Sequence, residues 1–506
     1  MFLVLLWSVL LFQSSVNAKY NVILIILDDM RPAIGSYGDH RAITPNIDGL
    51  LKDGFYFNRA YAQQSVCAPS RNSMLTSRRP DTLHLYDFYS YWRSFAGNYT
   101  TLPQYLKSQG YFTASIGKVF HPGITSNFTD DFPYSWTTEA YHPPTEQFMH
   151  KAVCEDSESG KLVPNLLCPV DVLSQPGHSL PDIQSVEKAK EMMRNISQPF
   201  FLAVGLHKPH IPFRFPKEFL DFHPMWKFSR PDTSYKPYDL PNVAWNPFVD
   251  VRGRHDVKKL NVSFPFGPLP KDFRAQIRRH YYASVTYIDY LIGQLISSID
   301  RNNTIIILTG DHGWSLGEHA EWAKYSNFEV ALRVPLIITT PDFRPKSKNR
   351  IDQPAELLDL FPTIVDLLDL PQVPQCTATN PIRQDLCTEG ESLVPYLKNR
   401  NKRNLRKMAF SQYPRPGDYP TENPNSDKPR LEEIRIMGYS LRTHRFRYTL
   451  WIDFNPGNFT RNWDKIFGEE LYDHSLDPEE NINLASRTQL NDIKMYLRSI
   501  LKEKFN

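Results

Sequence analysis

Two groups of potential metal ligands follow aliphatic runs in this sequence. Asp28 and Asp29 come directly after the run NVILIIL, and Asp311 and His312 follow the run TIIILT. Either group alone is equally consistent with a helix N-cap or a turn after a strand. If both runs are parallel strands of one sheet, their carboxyl ends meet at one edge, where three carboxylates need a cation. Carboxylates favour Ca²⁺ or Mg²⁺, whereas His312 is better suited to Zn²⁺ or Mn²⁺.

Cys67 is the next candidate for chemistry. It begins the segment Cys67-Ala68-Pro69-Ser70-Arg71, and residues 72–78 after it have a helix-like composition. Proline is typical of a first helical turn, which would place Cys67 at a helix N-terminus, where free backbone N–H groups favour an anion. A buried structural thiol and a nucleophilic cysteine of low pKa are the alternatives.

The elements around these residues indicate an α/β fold. The two aliphatic runs, 21–27 and 304–309, are typical of strands buried on both faces of a parallel sheet. Apolar residues recur at spacings of three and four over 273–299, which predicts an amphipathic helix before the second strand. A helix followed by a buried strand is half of a βαβ unit, so we expect a large, mostly parallel sheet flanked by helices. Further strands are predicted at 111–116, 200–205 and 334–339.

Composition changes mark a second part of the chain. Eleven prolines between 209 and 270 predict an extended surface excursion there. A basic segment at 399–407 and a Pro- and Asn-rich segment at 413–429 indicate a domain junction near residue 400. We therefore expect a catalytic domain over 19–400 and a smaller α+β domain over 401–506. Strand-like stretches within 439–452 and a final helix over 488–503 are predicted in the smaller domain.

Overall composition excludes several classes of protein. The chain has 506 residues, of which 41% are hydrophobic and 22% charged, so it is neither disordered, nor a coiled coil, nor collagen-like. A net charge of +3 gives no argument for nucleic-acid binding. The apolar run at 2–12 is too short to span a bilayer and precedes a cleavage-like Val16-Asn17-Ala18, which predicts a signal peptide over 1–18. No later stretch is long and apolar enough for a membrane span.

Sequons and cysteines agree with passage through the secretory pathway. Six Asn-x-Ser/Thr sequons are candidate glycosylation sites: Asn98, Asn127, Asn195, Asn261, Asn302 and Asn458. In an oxidising compartment, Cys154 with Cys168 and Cys376 with Cys387 would form local disulfides. Cys67 is then left unpaired. It is either a buried, inert thiol or a residue that takes part in the chemistry of the protein.

These segments together resemble the sulfatase family. The segment Cys67-x-Pro69-Ser70-Arg71 is similar to the family signature, in which a formylglycine-generating enzyme oxidises the cysteine to Cα-formylglycine during secretion. The acidic and imidazole groups at the two strand ends match the family's metal-binding positions. Gly117-Lys118 with His121, and His207-Lys208-Pro209, match its remaining active-site segments. The agreement is ordered along about the first 340 residues. His312 stands where most sulfatases have Asn. A histidine at this position resembles the branch of the family that acts on sulfated iduronate.

The resemblance implies an alkaline-phosphatase-like fold, a Ca²⁺ site and a division of catalytic roles. Ca²⁺ would be held by Asp28, Asp29, Asp311 and His312 with residue 67. One hydroxyl of the hydrated aldehyde at residue 67 would attack sulfur, and loss of a proton from the other would expel sulfate.

The remaining roles are also those that the resemblance implies. Arg71 and Lys118 would stabilise the oxygen charges, His121 would assist release of sulfate, and His207 would protonate the departing sugar oxygen. Lys324 would bridge the sulfate and the uronate carboxylate, while Trp314 and Tyr325 would line the pocket. Considered singly, the two lysines would be surface residues, the two histidines loop residues, and Trp314 a core residue.

The function expected from this resemblance is that of a lysosomal exo-sulfatase. It would act as a monomer on sulfated glycosaminoglycan oligosaccharides, removing the 2-O-sulfate of terminal L-iduronate in heparan sulfate and dermatan sulfate. A sulfatase of another sugar or alkyl ester is the nearest alternative. A phosphatase or phosphonate hydrolase on the same scaffold would need Thr or Ser and two zinc ions. A non-catalytic protein that binds sulfated glycans is a third possibility.

Overall fold

The computed structural model describes residues 20–156, 158–229, 235–345, 349–377, 384–398 and 408–505. The predicted signal peptide and the basic segment at 399–407 lie outside these ranges. The strands are β1 (Asn21–Leu27), β2 (Phe55–Phe57), β3 (Ala60–Tyr61), β4 (Phe112–Gly117), β5 (Cys154–Glu155), β6 (Leu162–Val163), β7 (Leu167–Val170), β8 (Phe200–Leu206), β9 (Phe213–Pro216), β10 (Thr304–Gly310), β11 (Ser315–Leu316), β12 (Trp322–Ala323), β13 (Arg333–Val334), β14 (Leu336–Thr339), β15 (Arg350–Ile351), β16 (Ala355–Glu356), β17 (Ala409–Arg415), β18 (Ile436–Arg442), β19 (Phe446–Asn455) and β20 (Thr460–Asp473).

Helices cover both faces of the main sheet and follow the chain between its strands. They are α1 (Pro45–Leu50), α2 (Cys67–Thr76), α3 (Pro80–Leu83), α4 (Trp92–Phe95), α5 (Leu102–Ser108), α6 (Pro181–Asn195), α7 (Val249–Arg252), α8 (His255–Lys258), α9 (Lys271–Ile296), α10 (Glu329–Leu332), α11 (Leu360–Leu367), α12 (Val394–Leu397) and α13 (Asn491–Phe505). Within the described ranges, no helix combines the length and the apolar character that crossing a membrane requires.

The main sheet has the strand order β15-β2-β14-β10-β1-β8-β4. The neighbours β10, β1, β8 and β4 are parallel, whereas β14 is antiparallel to β10 and β2. The prediction of a mostly parallel sheet is therefore confirmed. Ile23 and Ile25 of β1 belong to the apolar core on one face, and Leu24 and Ile26 to the core on the other. Burying each such side chain contributes about 1.5–3 kcal/mol, which explains the continuous apolar run.

The predicted amphipathic helix is present as α9. Its buried residues recur at helical spacing and include Ile277, Tyr281, Val285, Ile288, Ile292 and Leu295. The helix ends at Ile296, so the predicted Ile299 lies just beyond it. As expected for a helix that precedes a buried strand, α9 packs against the sheet layer and leads into β10.

Two sequence predictions need correction. The proline-rich segment 209–270 is not a surface excursion, because Phe213, Phe215 and Trp245 are at most 1% exposed and β9 pairs with β7. Prolines interrupt long elements there, but the aromatic residues between them still pack into the core. The predicted strand 334–339 is split at Pro335, which has no backbone N–H group to donate. Its two parts, β13 and β14, belong to different sheets.

The C-terminal region forms a four-stranded antiparallel sheet, β17-β18-β19-β20, with its own apolar core. The predicted stretch 439–452 lies in β18 and β19, which form a hairpin, and the predicted final helix is α13. The N–H group of Gln412 donates to the carbonyl of Gln63 at 2.8 Å, so this sheet is bonded to the catalytic part. The boundary at residue 400 stays a prediction.

Both local disulfides are present. Cys154 is bonded to Cys168 and Cys376 to Cys387, while Cys67 is a buried free cysteine. All six sequon asparagines are exposed, as attachment of a glycan requires. Glycosylation of these asparagines stays a prediction.

Candidate active site

The parallel pairing of β1 and β10 brings the two groups of potential metal ligands to one edge of the sheet. Leu27 lies opposite Gly310 in the register, and the acidic residues follow directly. The backbone N–H of Asp29 donates to Asp311 Oδ1 at 3.0 Å, which locks the two strand ends together. Asp28, Asp29, Asp311 and His312 are all 0% exposed.

Cys67 faces this edge from the first turn of α2. Its Sγ atom lies 3.3 Å from Asp28 Oδ1, 3.4 Å from His312 Nε2 and 3.0 Å from Lys324 Nζ. The helix begins at Cys67, as predicted, and the side chain is 1% exposed. Burial, followed by the charge of Asp28, raises the pKa of the thiol to about 12. A low-pKa thiolate nucleophile is therefore disfavoured.

Three cationic side chains balance the three carboxylates. Arg71, one turn after Cys67, donates from Nε to Asp311 Oδ2 at 2.9 Å, and its guanidinium lies 3.2 Å from Asp28 Oδ1. Lys118 Nζ lies 2.6 Å from Asp28 Oδ2 and 3.6 Å from Cys67 Sγ. Lys324 Nζ lies 2.7 Å from Asp29 Oδ1. Because all these groups are buried, removing any one leaves a charge without compensation.

Close contact between two strands positions Lys118. It follows Gly117, the last residue of β4, and its N–H donates to the carbonyl of Gly205 in β8 at 3.0 Å. A Cβ atom on Gly205 would lie 1.8 Å from the carbonyl oxygen of Lys118. Only glycine at position 205 allows the chain after β4 to approach closely enough for Lys118 to reach Asp28.

The donor set fits a divalent cation. Asp29 Oδ2 is buried and has no hydrogen-bond partner within the described part of the chain. Burial raises the pKa of Asp29 to about 7; Lys324 opposes this shift, and the neighbouring Asp28 and Asp311 add to it. A positive ion at this point would relieve that repulsion. Hard carboxylate oxygens with one imidazole are suitable ligands for it.

His312 is prepared to act as a neutral ligand. Its Nδ1 atom lies 2.9 Å from the carbonyl oxygen of Gly313, so Nε2 faces Asp29 and Asp311 at 3.5 and 3.6 Å. Burial lowers the pKa of His312 to about 4, which leaves the imidazole uncharged at neutral pH. A neutral imidazole nitrogen is the form that coordinates metals.

The histidines after β8 are arranged differently from the sequence prediction. We call Asp28, Asp29, Cys67, Asp311 and His312 the cluster. His207 Nε2 lies 3.1 Å from Glu146 Oε1, and its Nδ1 lies 3.4 Å from Asp182 Oδ1, so both ring nitrogens face carboxylates outside the cluster. His210 lies at the cluster instead, with Nε2 3.8 Å from Asp29 Oδ2. Its ligand atom, those of Asp29 and the Cys67 sulfur all lie within 4.8 Å of one another. Sequence reasoning missed His210, although His-x-Pro occurs twice in succession in HKPHIP.

The other predicted site residues surround the same centre. His121 packs its ring against Phe88, with 4.7 Å between centroids, and burial and the nearby Lys118 hold its pKa well below the usual range. The rings of Trp314 and Tyr325 lie 5.9 and 5.8 Å from Lys324 Nζ. Both aromatic residues are 2% exposed, and the Tyr325 hydroxyl donates to Asp250.

The mostly parallel sheet flanked by helices, with acidic side chains and a free cysteine at its carboxyl edge, has the alkaline-phosphatase-like fold. The fold is similar to that of the phosphonate monoester hydrolase of Agrobacterium radiobacter, with a TM-score of 0.69 and 18% identity over 96% of each chain. A family model described as Sulfatase matches residues 20–370. The chain therefore belongs to the sulfatase family, which makes it a sulfuric ester hydrolase.

Curated relatives extend the similarity to the whole chain. Human iduronate 2-sulfatase is 47% identical over 521 residues, covering 95% of this chain and 94% of that protein. Mouse iduronate 2-sulfatase is 46% identical over 525 residues, covering 96% and 94%. The C-terminal sheet is thus part of the shared architecture.

Proposed function

We propose that this chain hydrolyses the 2-O-sulfate ester of terminal L-iduronate in heparan sulfate and dermatan sulfate. It would act as a monomer in the lysosome, which it would reach through the secretory pathway. The 47% identity to human iduronate 2-sulfatase supports the choice of substrate. The observation that carries the chemistry is the position of Cys67 Sγ, 3.0–3.6 Å from a carboxylate, an imidazole and two ammonium groups.

The proposal includes two groups that the sulfatase family uses, a formylglycine and a divalent metal. Residue 67 would carry the formylglycine after oxidation by the formylglycine-generating enzyme. Asp28, Asp29, Asp311 and His312 would hold one Ca²⁺ together with residue 67. When present, these groups supply a nucleophilic hydroxyl and positive charge beside the sulfate oxygens.

The side chains of this protein would divide the remaining work. Lys118 and Lys324 direct their ammonium groups at residue 67, where the sulfate oxygens must lie, and Arg71 holds two of the carboxylates in place. His121, with its lowered pKa, is neutral and suited to accept a proton during release of sulfate. Lys324 would also meet the uronate carboxylate, with Trp314 and Tyr325 as the adjacent walls.

Protonation of the departing sugar oxygen is assigned to His210 rather than to His207. His210 lies within reach of Cys67 and Asp29, and its Nδ1 is 2.5 Å from the carbonyl oxygen of Ile211, which leaves Nε2 directed at the centre. Burial holds the pKa of His210 well below its usual range and Asp28 opposes this, so Nε2 would donate a proton only from the imidazolium form, which the negative charge of Asp28 favours. The His207 nitrogens are engaged by Glu146 and Asp182. Replacing each histidine by alanine tests the assignment. His210→Ala should remove protonation of the departing sugar oxygen and so lower kcat strongly, and His207→Ala should reduce activity less.

The proposed function is tested by peptide mass spectrometry and a substrate pair. The peptide covering residues 60–71 from protein secreted by animal cells should contain an aldehyde at position 67. The enzyme should hydrolyse a disaccharide with terminal 2-sulfated iduronate and not the isomer sulfated at position 6 of the neighbouring glucosamine. An intact thiol, from cells that convert a control sulfatase, would contradict the mechanism. Hydrolysis of the isomer alone would contradict the substrate.

A further inference from the structure

Four alternating acidic and imidazole side chains form a continuous line beside the active site. His142 Nε2 lies 3.2 Å from Asp130 Oδ2, and its Nδ1 lies 3.2 Å from Glu146 Oε2. The second oxygen of Glu146 lies 3.1 Å from His207 Nε2. We call Asp130, His142, Glu146 and His207 the histidine–carboxylate chain.

From His142 to His207 this chain leads from the surface to the interior, whereas Asp130, at its other end, is buried. The exposed fraction of the side chain falls from 36% at His142 to 16% at Glu146 and 3% at His207. On the far side of the His207 ring, Asp182 in the first turn of α6 lies 3.4 Å from Nδ1. The imidazole is therefore held between two carboxylates from different elements.

His207 begins the turn that carries His210. The backbone N–H groups of His207 and Lys208 donate to the two oxygens of Asp182 at 2.6 and 3.2 Å. The N–H of His210 donates to the carbonyl of His207 at 2.9 Å, which closes the turn. The His207 side chain, which faces Glu146, is thus attached to the first residue of the turn that carries His210.

We propose that the histidine–carboxylate chain is a positioning device for His210, with Glu146 as its central residue. Glu146 and Asp182 hold the His207 ring from both sides, the ring fixes the turn, and the turn keeps His210 Nε2 at the cluster. This role deepens the proposed function and rests on it, because it concerns how His210 meets the substrate. His207 and Glu146 act through His210 and contact no reacting atom.

The charges on the chain favour this arrangement over a wide pH range. Burial alone would lower the pKa of His207, but Asp182 and Glu146 raise it to about 9. The carboxylates of Asp130 and Glu146 raise the pKa of His142 to about 10. Burial would raise the pKa of Glu146, but the two imidazoles hold it well below the usual range. His142, Glu146 and His207 therefore alternate in sign at acidic and neutral pH.

The test is a double-mutant cycle on kcat with Glu146→Gln and His210→Ala. Glutamine keeps the size of Glu146 and removes its charge, so the protein should fold with an unchanged aldehyde content at residue 67. We expect kcat to fall about tenfold to a hundredfold with KM unchanged, as for other outer-shell partners. In the His210→Ala background, Glu146→Gln should change kcat less than twofold, because the residue it positions is absent. Glu146→Asp, which restores the charge, should recover part of the loss.

A matched control and a distinct substrate readout keep the outcomes separate. Glu191→Gln makes the same chemical change in the exposed pair of Lys188 and Glu191, and it should leave kcat unchanged. Equal losses from Glu146→Gln with and without His210, or a loss confined to KM, would overturn the positioning role. The cycle uses any sulfate ester that the wild-type enzyme hydrolyses. Failure on 2-sulfated iduronate alone would therefore contradict the proposed substrate and leave the cycle to decide the role of Glu146.

Discussion

At the scale of single residues, the active site is a buried set of charges that balance one another. Asp28, Asp29 and Asp311 each lie within 3.2 Å of an arginine or lysine nitrogen. Ordinary acids and bases are rarely buried without such partners. The arrangement leaves Cys67 surrounded by groups of both signs, at the place where an ester anion and its leaving charge have to be stabilised.

Replacing Cys67 by alanine should lower kcat by more than about a thousandfold, the scale expected when a covalent nucleophile is lost. The side chain is small and buried, so the fold should remain. Activity on a sulfate ester is the measurement, with the circular dichroism spectrum as the control for folding. An active Cys67→Ala variant would refute the covalent mechanism.

Glu146 also makes stability depend on pH. Folding raises the pKa of His207 from about 6.5 to about 9 and that of His142 to about 10, so the stability from their pairs with Glu146 is fully present below pH 6.5 and is lost as pH rises through 9 to 10. Glu146→Gln should therefore lower the thermal midpoint most at pH 5–6.5, by the equivalent of about 2 kcal/mol, and least above about pH 10. Calorimetry over this range is the measurement. A constant difference at all pH values would show that the charge of His207 is not involved.

At the scale of elements, the approach of β4 to β8 sets the position of Lys118. Gly117 has φ of 66°, and Gly205 faces the carbonyl of Lys118 across the gap between the strands. Strand β8 is an inner strand of the sheet with every residue buried, so it cannot move away from the edge strand β4 without disturbing buried neighbours. The position of Lys118 is thus set by two glycines, Gly117 and Gly205, rather than by its own side-chain contacts alone.

Gly205→Ala should separate the ends of β4 and β8 and cost about 1–3 kcal/mol of stability, as other overpacking changes do. Because Lys118 moves away from Asp28, kcat should fall more than the loss of folded protein explains. Gly49→Ala is the matched control for activity, since a Cβ atom there meets nothing within 4 Å and its φ is not in the left-handed region. Equal kcat per folded molecule in wild-type and Gly205→Ala protein would contradict this account.

The sequence predicts some of these elements and not others for physical reasons. Strands β1 and β10 can be predicted from sequence because burial of both faces requires a continuous apolar run. Helix α9 can be predicted from its apolar periodicity. The segment 209–270 is misread, since its packing depends on distant aromatic partners rather than on local pattern. His207 and His210 occur in equivalent His-x-Pro contexts. What distinguishes them are the carboxylates of Glu146 and Asp182, distant in sequence, which face both ring nitrogens of His207.

At the scale of the whole molecule, a buried ion network joins the C-terminal sheet to the catalytic part. Arg447 in β19 lies 2.6 Å from Glu329 in α10 and 2.6 Å from Glu480, and Arg442 in β18 lies 3.0 Å from Glu329. The N–H of Glu329 donates to Glu480 at 2.7 Å. The last hundred residues are therefore held by charges as well as by apolar contacts.

Arg447→Met should cost about 3–5 kcal/mol, because two buried glutamates lose a partner at once. The C-terminal sheet should then become sensitive to proteases under conditions in which the wild-type protein is resistant. Arg445→Met, two residues away in a pair whose arginine is 57% exposed, serves as the control and should change little. Unchanged protease resistance of Arg447→Met would show that apolar packing alone holds the sheet.

The burial of Cys67 also imposes an order of events in time. Its side chain is 1% exposed beneath the first turn of α2, so an oxidising enzyme has no access to it once the chain has folded. The proposed oxidation of Cys67 would therefore have to precede folding, and a molecule that folded first would keep its thiol. Incubating folded, unconverted protein with the formylglycine-generating enzyme should leave the thiol intact, whereas the free peptide of residues 60–71 should be converted. The yield of active enzyme in a cell would then depend on the rate of Cys67 oxidation relative to the rate of folding.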